Sequence, residues 1–123
     1  MIIRCWGARG SIPVSGKKYL RYGGDTTCIE VRSKHGDIII IDAGSGIRRL
    51  GGLLAAEEKR DSTLILTHSH WDHVMGFPFF KPLYHRSTRM DVYGCPHAQK
   101  ATREILADIM GPPHFPVHVD DVR

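Results

Sequence analysis

Residues 67–80 read THSHWDHVMGFPFF, placing three histidines and an aspartate in the six positions from His68 to His73. Imidazoles and a carboxylate crowd together at a cost unless a charge lies among them. His68 and His70 are two residues apart, so in extended chain both point to one side of a strand. Asp61 to Thr67 reads as that strand, and a short helix is expected from Asp72, whose carboxylate is also a candidate helix cap. Asp72 and His73 then lie where strand turns into helix, aimed toward a neighbouring ion. His, His, Asp, His is ligand chemistry for zinc, with manganese and iron as alternatives. The competing reading, a cap at Asp72 among surface histidines, fits poorly with so dense a cluster.

Two metal ions about 3.5–4 Å apart would clamp the attacking and leaving oxygens of a displacement. The nucleophile would be a metal-bound hydroxide, since a bound metal lowers the pKa of its water to about 7. Upstream, Asp42 ends the isoleucine run 38–41 just before a glycine turn, at the expected sheet edge of His68. A carboxylate there is either a turn residue or the partner that orients a ligating histidine through its other ring nitrogen, and the second reading is preferred.

Working outward, Met1 to Trp6 reads as a first strand, followed by the long Gly/Pro-rich loop GARGSIPVSGKKYLRYGGD. TTCIEVRS follows as a strand, with Cys28 or the Ile29/Val31 pair as its buried positions. KHGD makes a hairpin turn into IIIID, whose four isoleucines suggest a strand covered on both faces. Ile47 to Lys59 reads as an amphipathic helix, TRMDVYG as a strand, and His97 to Met110 as a helix stopped by GPP. This alternation of strands and helices is an α/β layered architecture in a single domain over residues 1–123.

Composition excludes several classes. At 123 residues, with 41% hydrophobic and 24% charged residues, the chain is an ordinary globular domain. Its longest isoleucine run is far short of the ~20 apolar residues of a membrane span. The N-terminus lacks the apolar stretch of a secretory signal, so cytoplasm is the expected location. Cys5, Cys28 and Cys95 match no disulfide framework or zinc spacing and are read as buried small residues. The net charge of +4 gathers partly in Lys17, Lys18 and Arg21 and in Lys81, Arg86 and Arg89. These are read as solvated surface, attraction of a phosphate-bearing substrate being the alternative. No basic motif interleaved with aromatics is recognised.

THSHWDH after a strand, with IIIIDAGSG upstream, resembles the metallo-β-lactamase-fold hydrolases. WGARGSIPV, RYGGDTTCIEV, HWDHVMGFPFFKPLY and HFPV are together similar to the phosphodiesterase-like branch, which includes ribonuclease Z and the PhnP-type cyclic phosphodiesterases. The resemblance implies an αββα sandwich, of which this chain is the N-terminal half, a mixed sheet with helices on one face. It implies two divalent metals, zinc first among the candidates. His68 and His70 then match ligands of the first metal, Asp72 and His73 ligands of the second, with Asp72 also handling protons, and Asp42 the supporting aspartate. Asp25 stands where relatives more often have Asn, which leaves a polar role for its side chain open. The family's third histidine, bridging aspartate and last histidine lie in its second half. The expectation is therefore a fragment of a longer chain, or a homo-oligomer whose copies cover each other's open sheet and complete each other's site.

Among the remaining candidates, HFPVHVDD is expected to anchor the chain rather than bind metal, and GFPFFKPLY to pack in the core. GSG at 44–46 lacks the Lys and Ser/Thr of a phosphate loop. Trp71 is read equally as a wall of the pocket, a platform for a base or a residue packed beneath the loop. The expected function is metal-dependent hydrolysis of a phosphodiester, a small one before a nucleic acid. Hydrolysis of another ester, thioester or lactam, or a non-catalytic metal-binding half-domain, are the alternatives.

Overall fold

The computed structural model describes residues 1–95 and 100–122. Short apolar stretches between turns pair as β1 (Ile2–Gly7), β2 (Cys28–Arg32), β3 (Ile38–Ile41), β4 (Asp61–Leu66) and β5 (Arg89–Gly94), side by side in chain order. β1, β2 and β3 run antiparallel in turn, and β4 and β5 join parallel. The β2–β3 turn is closed by the Ser33 N–H donating to Asp37 O at 3.0 Å. The parallel step from β3 to β4 requires a crossover, which α1 (Ile47–Ala56) supplies. α2 (Trp71–Val74) follows β4, and α3 (Thr102–Ile109) follows β5.

The core lies on one face of this mixed sheet. Cys28, Ile38, Ile40, Leu64 and Leu66 meet Ile47, Leu50 and Leu54 of α1, Leu106 of α3, and Phe77 and Phe80. The three α1 residues recur at helical spacing and so share one stripe. GFPFFKPLY fills this core as expected, Phe77, Pro78, Phe80, Pro82 and Leu83 being buried. Phe115, Val117, Val119 and Val122 pack against it from the C-terminal stretch, which anchors the chain as anticipated.

The other face is more open. Register aligns Ile3 with Val31, Val31 with Ile39, Ile29 with Ile41, Ile41 with Ile65, and Ile65 with Tyr93. Ile3 is 63% and Tyr93 61% exposed. The isoleucine strand is therefore covered on one face only, because strict alternation sends Ile39 and Ile41 away from α1.

The same alternation buries Glu30 beside Cys28, while Ile29 and Val31 are only half-buried. Glu30 accepts from Trp6 Nε1 at 2.9 Å and from Arg4 at 3.4 Å, and is bound by Arg32 Nε. Arg32 Nη2 also lies 2.8 Å from Glu57 Oε2, close enough to pair as charges though not aligned as a hydrogen bond. Burial alone would raise the Glu30 carboxyl, but hydrogen bonds from Arg32 and Trp6 outweigh it and hold the group below the usual carboxylate range.

Three boundaries differ from the sequence reading. α1 stops at Ala56 because Glu58 turns left-handed at φ 55°. α2 begins at Trp71, with His70 as its extended N-cap and no side chain capping it. α3 begins at Thr102, where the Ala101 N–H is taken by Glu104 at 2.8 Å; the expected start at His97 lies outside the described residues. Of the thiols only Cys28 is buried, while Cys5, opposite Ile29 on the open face, and Cys95, just past the end of β5, are exposed. Among the described residues no helix is long and apolar enough to cross a membrane.

Two predictions follow from this packing. Glu30→Ala strips Arg32 of its main partner and should cost about 3–5 kcal/mol at pH 7, read as a lower urea midpoint. Because the folded Glu30 carboxyl titrates below the unfolded one, its stabilisation is full above about pH 4.3 and is lost as pH falls through the lower folded value, so the gap to wild type should close in acid. Burial pushes the Cys28 thiol up to about 12. Native alkylation at pH 8 should therefore modify Cys5 and Cys95 and spare Cys28 until denaturant is added, as counted by intact mass.

Candidate metal centre

Where β3 ends, Asp42 turns left-handed at φ 62°, a conformation uncommon for any residue but glycine. Its N–H donates to Ile65 O at 2.9 Å, carrying the β3–β4 pairing one residue past the strand. The carboxylate, only 2% exposed, is thereby swung against the end of β4. Oδ1 accepts from the Thr67 N–H at 2.8 Å, and the Thr67 hydroxyl donates to the same carboxylate at 2.8 Å from Oδ2. Oδ2 also lies 2.8 Å from His73 Nδ1.

These contacts set the protons on two imidazoles. A carboxylate only accepts, so His73 carries its hydrogen on Nδ1 and leaves the lone pair of Nε2 outward. The Thr67 hydroxyl spends its one hydrogen on Asp42, so His68 Nδ1, 3.0 Å away, must be the donor to it. His68 Nε2 then also keeps its lone pair. Asp42 orients His73 directly and His68 through Thr67.

The rings converge. The His68 and His73 centroids are 4.0 Å apart, and those of His68 and His70 are 4.6 Å apart. Asp72 Oδ2 sits 3.4 Å from His73 Nε2. A proton or a cation placed between these two atoms would be shared by both. The Ser11 N–H, reaching in from the β1–β2 loop at 3.0 Å, donates to the same Asp72 oxygen. It is the largest influence holding Asp72 below the usual carboxylate range, opposed by partial burial and reinforced by His73 and His68. Asp72 thus accepts from Ser11 instead of capping α2. Ser11 is itself left-handed, at φ 73°.

The backbone around the site has no slack. The Ala43 N–H donates to His73 O at 2.8 Å, and the Gly76 N–H to Ala43 O at 2.9 Å. A Cβ on Gly44 would stand 2.4 Å from Asp72 O, and one on Gly76 2.0 Å from Gly44 O.

All five residues singled out in the sequence, Asp42, His68, His70, Asp72 and His73, are brought to this one edge. Their chemistry suits a divalent metal: nitrogen and carboxylate donors, two of the imidazoles oriented from behind. Among the described residues, however, no three His, Cys, Asp or Glu side chains close into an arrangement able to hold an ion. Sequence reasoning missed Thr67 and Ser11. Thr67 was legible as the hydroxyl adjoining the first histidine; nothing in the sequence marked Ser11, which acts through its backbone.

Trp71 is 69% exposed at the site's rim and does not pack beneath the loop. His85 and His118 accept from the nearby Ser87 and Asp120 N–H groups, and His97 lies outside the described residues. Asp25 has a definite polar role: it accepts from Ser45 Oγ at 2.9 Å and Arg49 Nε at 3.0 Å, pinning the β1–β2 loop to α1.

The sequence profile of the metallo-beta-lactamase superfamily matches residues 21–120. The ribonuclease Z of Bradyrhizobium sp. (strain ORS 278) is 33% identical over 69% of this chain and 29% of its own length. That of Natronomonas pharaonis is 28% identical over 94% of this chain and 36% of its own. That of Thermococcus kodakarensis is 30% identical over 71% of this chain and 29% of its own. No solved structure gives a significant match. The chain belongs to the metallo-β-lactamase superfamily and spans about a third of the length of these relatives.

Gly44→Ala should push the Asp42 turn off α2. An overpacking loss of about 1–3 kcal/mol is expected in thermal unfolding, together with changed chemical shifts of the His68 and His73 ring protons.

Proposed function

We propose that this chain carries part of the metal centre of a metal-dependent hydrolase acting on phosphodiester bonds. The observation that carries the reading is the convergence of His68, His70 and His73 beside Asp72, with one buried carboxylate fixing the protons of two rings. Superfamily membership supports hydrolysis, and the ribonuclease Z relatives support a phosphodiester over other esters, thioesters or lactams.

His68, His70, Asp72 and His73 would hold the metal, zinc being the first candidate and manganese or iron the others. A bound divalent ion supplies acidification of water and neutralisation of charge on phosphate oxygens. The chain's own residues prepare for that. Asp42 takes up the Nδ1 side of His73 directly and of His68 through Thr67, and so turns Nε2 of both outward. The Ser11 N–H keeps Asp72 ionised and aimed at His73, where it is the group placed to accept a proton. Trp71, exposed at the rim, flanks the entrance. The further ligands that a catalytic centre needs are proposed to come from a second copy of the chain or from outside these 123 residues, since the relatives are about two and a half times as long.

The test is metal content and assembly mass of the purified chain, followed by hydrolysis of bis(p-nitrophenyl) phosphate with zinc or manganese. Turnover abolished by His68→Ala supports the reading. A chain that holds metal tightly and still does not turn over would reassign it as a non-catalytic metal-binding half-domain, whereas weak, substoichiometric metal without turnover would place the remaining ligands outside the chain. Asp42→Asn presents an amide N–H to His73 Nδ1 and moves the ring hydrogen to Nε2. Metal affinity should fall about 10–100-fold, measured by competition with a chromogenic chelator.

A further inference from the structure

One arm of the β1–β2 loop reaches Asp72; the other carries a charge the hydrolytic site does not use. Residues 8–24 hold Arg9, Lys17, Lys18 and Arg21 and no carboxylate. The thirteen other Lys and Arg balance the thirteen Asp and Glu, so the whole net charge of +4 resides on this stretch. The contrast with the sequence reading is direct: in KKYLRY the cations are interleaved with rings. Arg9 Cζ and Lys18 Nζ each lie 5.1 Å from the Tyr19 ring centroid, and Arg21 Cζ lies 5.1 Å from that of Tyr22.

The surface is built as well as charged. Arg9 N–H donates to Asp25 O at 3.1 Å and Val14 N–H to Gly24 O at 2.9 Å, so the two limbs of the loop are stapled together. A groove of about 200 Å³ runs between Arg9, Lys18, Tyr19 and Tyr22. Tyr22 is 79% exposed, a large ring surface left open to solvent. Arg9 is two residues from Ser11, whose N–H holds Asp72, so along the chain at most about 7 Å separates their Cα atoms.

We infer that this loop is the docking surface for a single-stranded polynucleotide, which lays one phosphodiester at the neighbouring site; that last clause rests on the function proposed above. The backbone phosphates pair with Arg9, Lys17, Lys18 and Arg21, and an unpaired base stacks on Tyr22. Charge alone would also suit an acidic peptide. The exposed ring among cations selects a ligand with flat bases between its anions.

The experiment is fluorescence anisotropy of a labelled twelve-nucleotide single-stranded RNA, and of the same sequence as DNA, titrated with the full chain in EDTA. Binding of either carries the inference, and comparison of the two identifies the natural polymer. Tyr22→Ala should weaken binding about tenfold through the lost stack. Lys17→Gln with Lys18→Gln should lower the slope of log affinity against log salt by about 1.4. Arg86→Ala with Arg89→Ala, an equal loss of exposed charge elsewhere, should change little. Circular dichroism confirms that each variant is folded. No binding at low salt, no effect of Tyr22→Ala, an equal effect of the Arg86/Arg89 pair, or equally effective competition by poly-glutamate overturns it. Because EDTA removes metal, the two readings fail separately. A chain that binds but holds no metal loses the hydrolytic site, and one that holds metal but does not bind loses this surface.

Discussion

The Asp42 carboxylate is buried, ionisable and held on a backbone turn that costs on the order of 1–3 kcal/mol for a residue with a side chain. It persists because each of its oxygens is engaged: Thr67 N–H on one, His73 Nδ1 on the other, and the Thr67 hydroxyl between them. Hydrogen bonds to a charged acceptor are roughly twice as strong as neutral ones. They tie the end of β3 to the end of β4 and to α2, the three pieces that make the site. The turn cannot relax without breaking all of them together.

Around that carboxylate, backbone does as much as side chains. Ser11 and Asp42 are both left-handed, and both deliver a polar group to the histidine cluster, one through its amide and the other through its carboxylate. Gly44 and Gly76 allow their backbones to come closer than any side chain would permit. Strained turns and close backbone approach thus meet at the sheet edge where the dense ligand sequence also falls.

Much of this was legible. The six-residue cluster named the site, the isoleucine run named β3, and the Gly-bounded stretches located all five strands. What was hidden depended on partners distant in sequence. Whether Cys28 or the Ile29/Val31 pair of β2 faces inward stayed open, since nothing local shows that Arg4, Trp6 and Arg32 will surround Glu30 on the buried side. Four isoleucines looked buried on both sides, because a run without alternation does not reveal which face is covered. The basic loop read as solvated surface, since spacing alone does not reveal that Arg9 will lie over Tyr19, ten residues on. Thr67 and Ser11 act through a hydroxyl relay and a main-chain N–H, which leave little trace in a pattern of residue types.

The strand order 1-2-3-4-5 has a kinetic consequence. Every strand pairs with its neighbour in sequence, so no pairing waits for a distant segment, and short loop closures favour rapid folding. The histidine cluster and its Asp42 support lie between residues 42 and 73, inside the β3–β4 crossover unit and the turn that follows it. A chain emerging from its N-terminus can therefore set the imidazoles in place once Gly76 has closed on Ala43, before β5 is added to the edge.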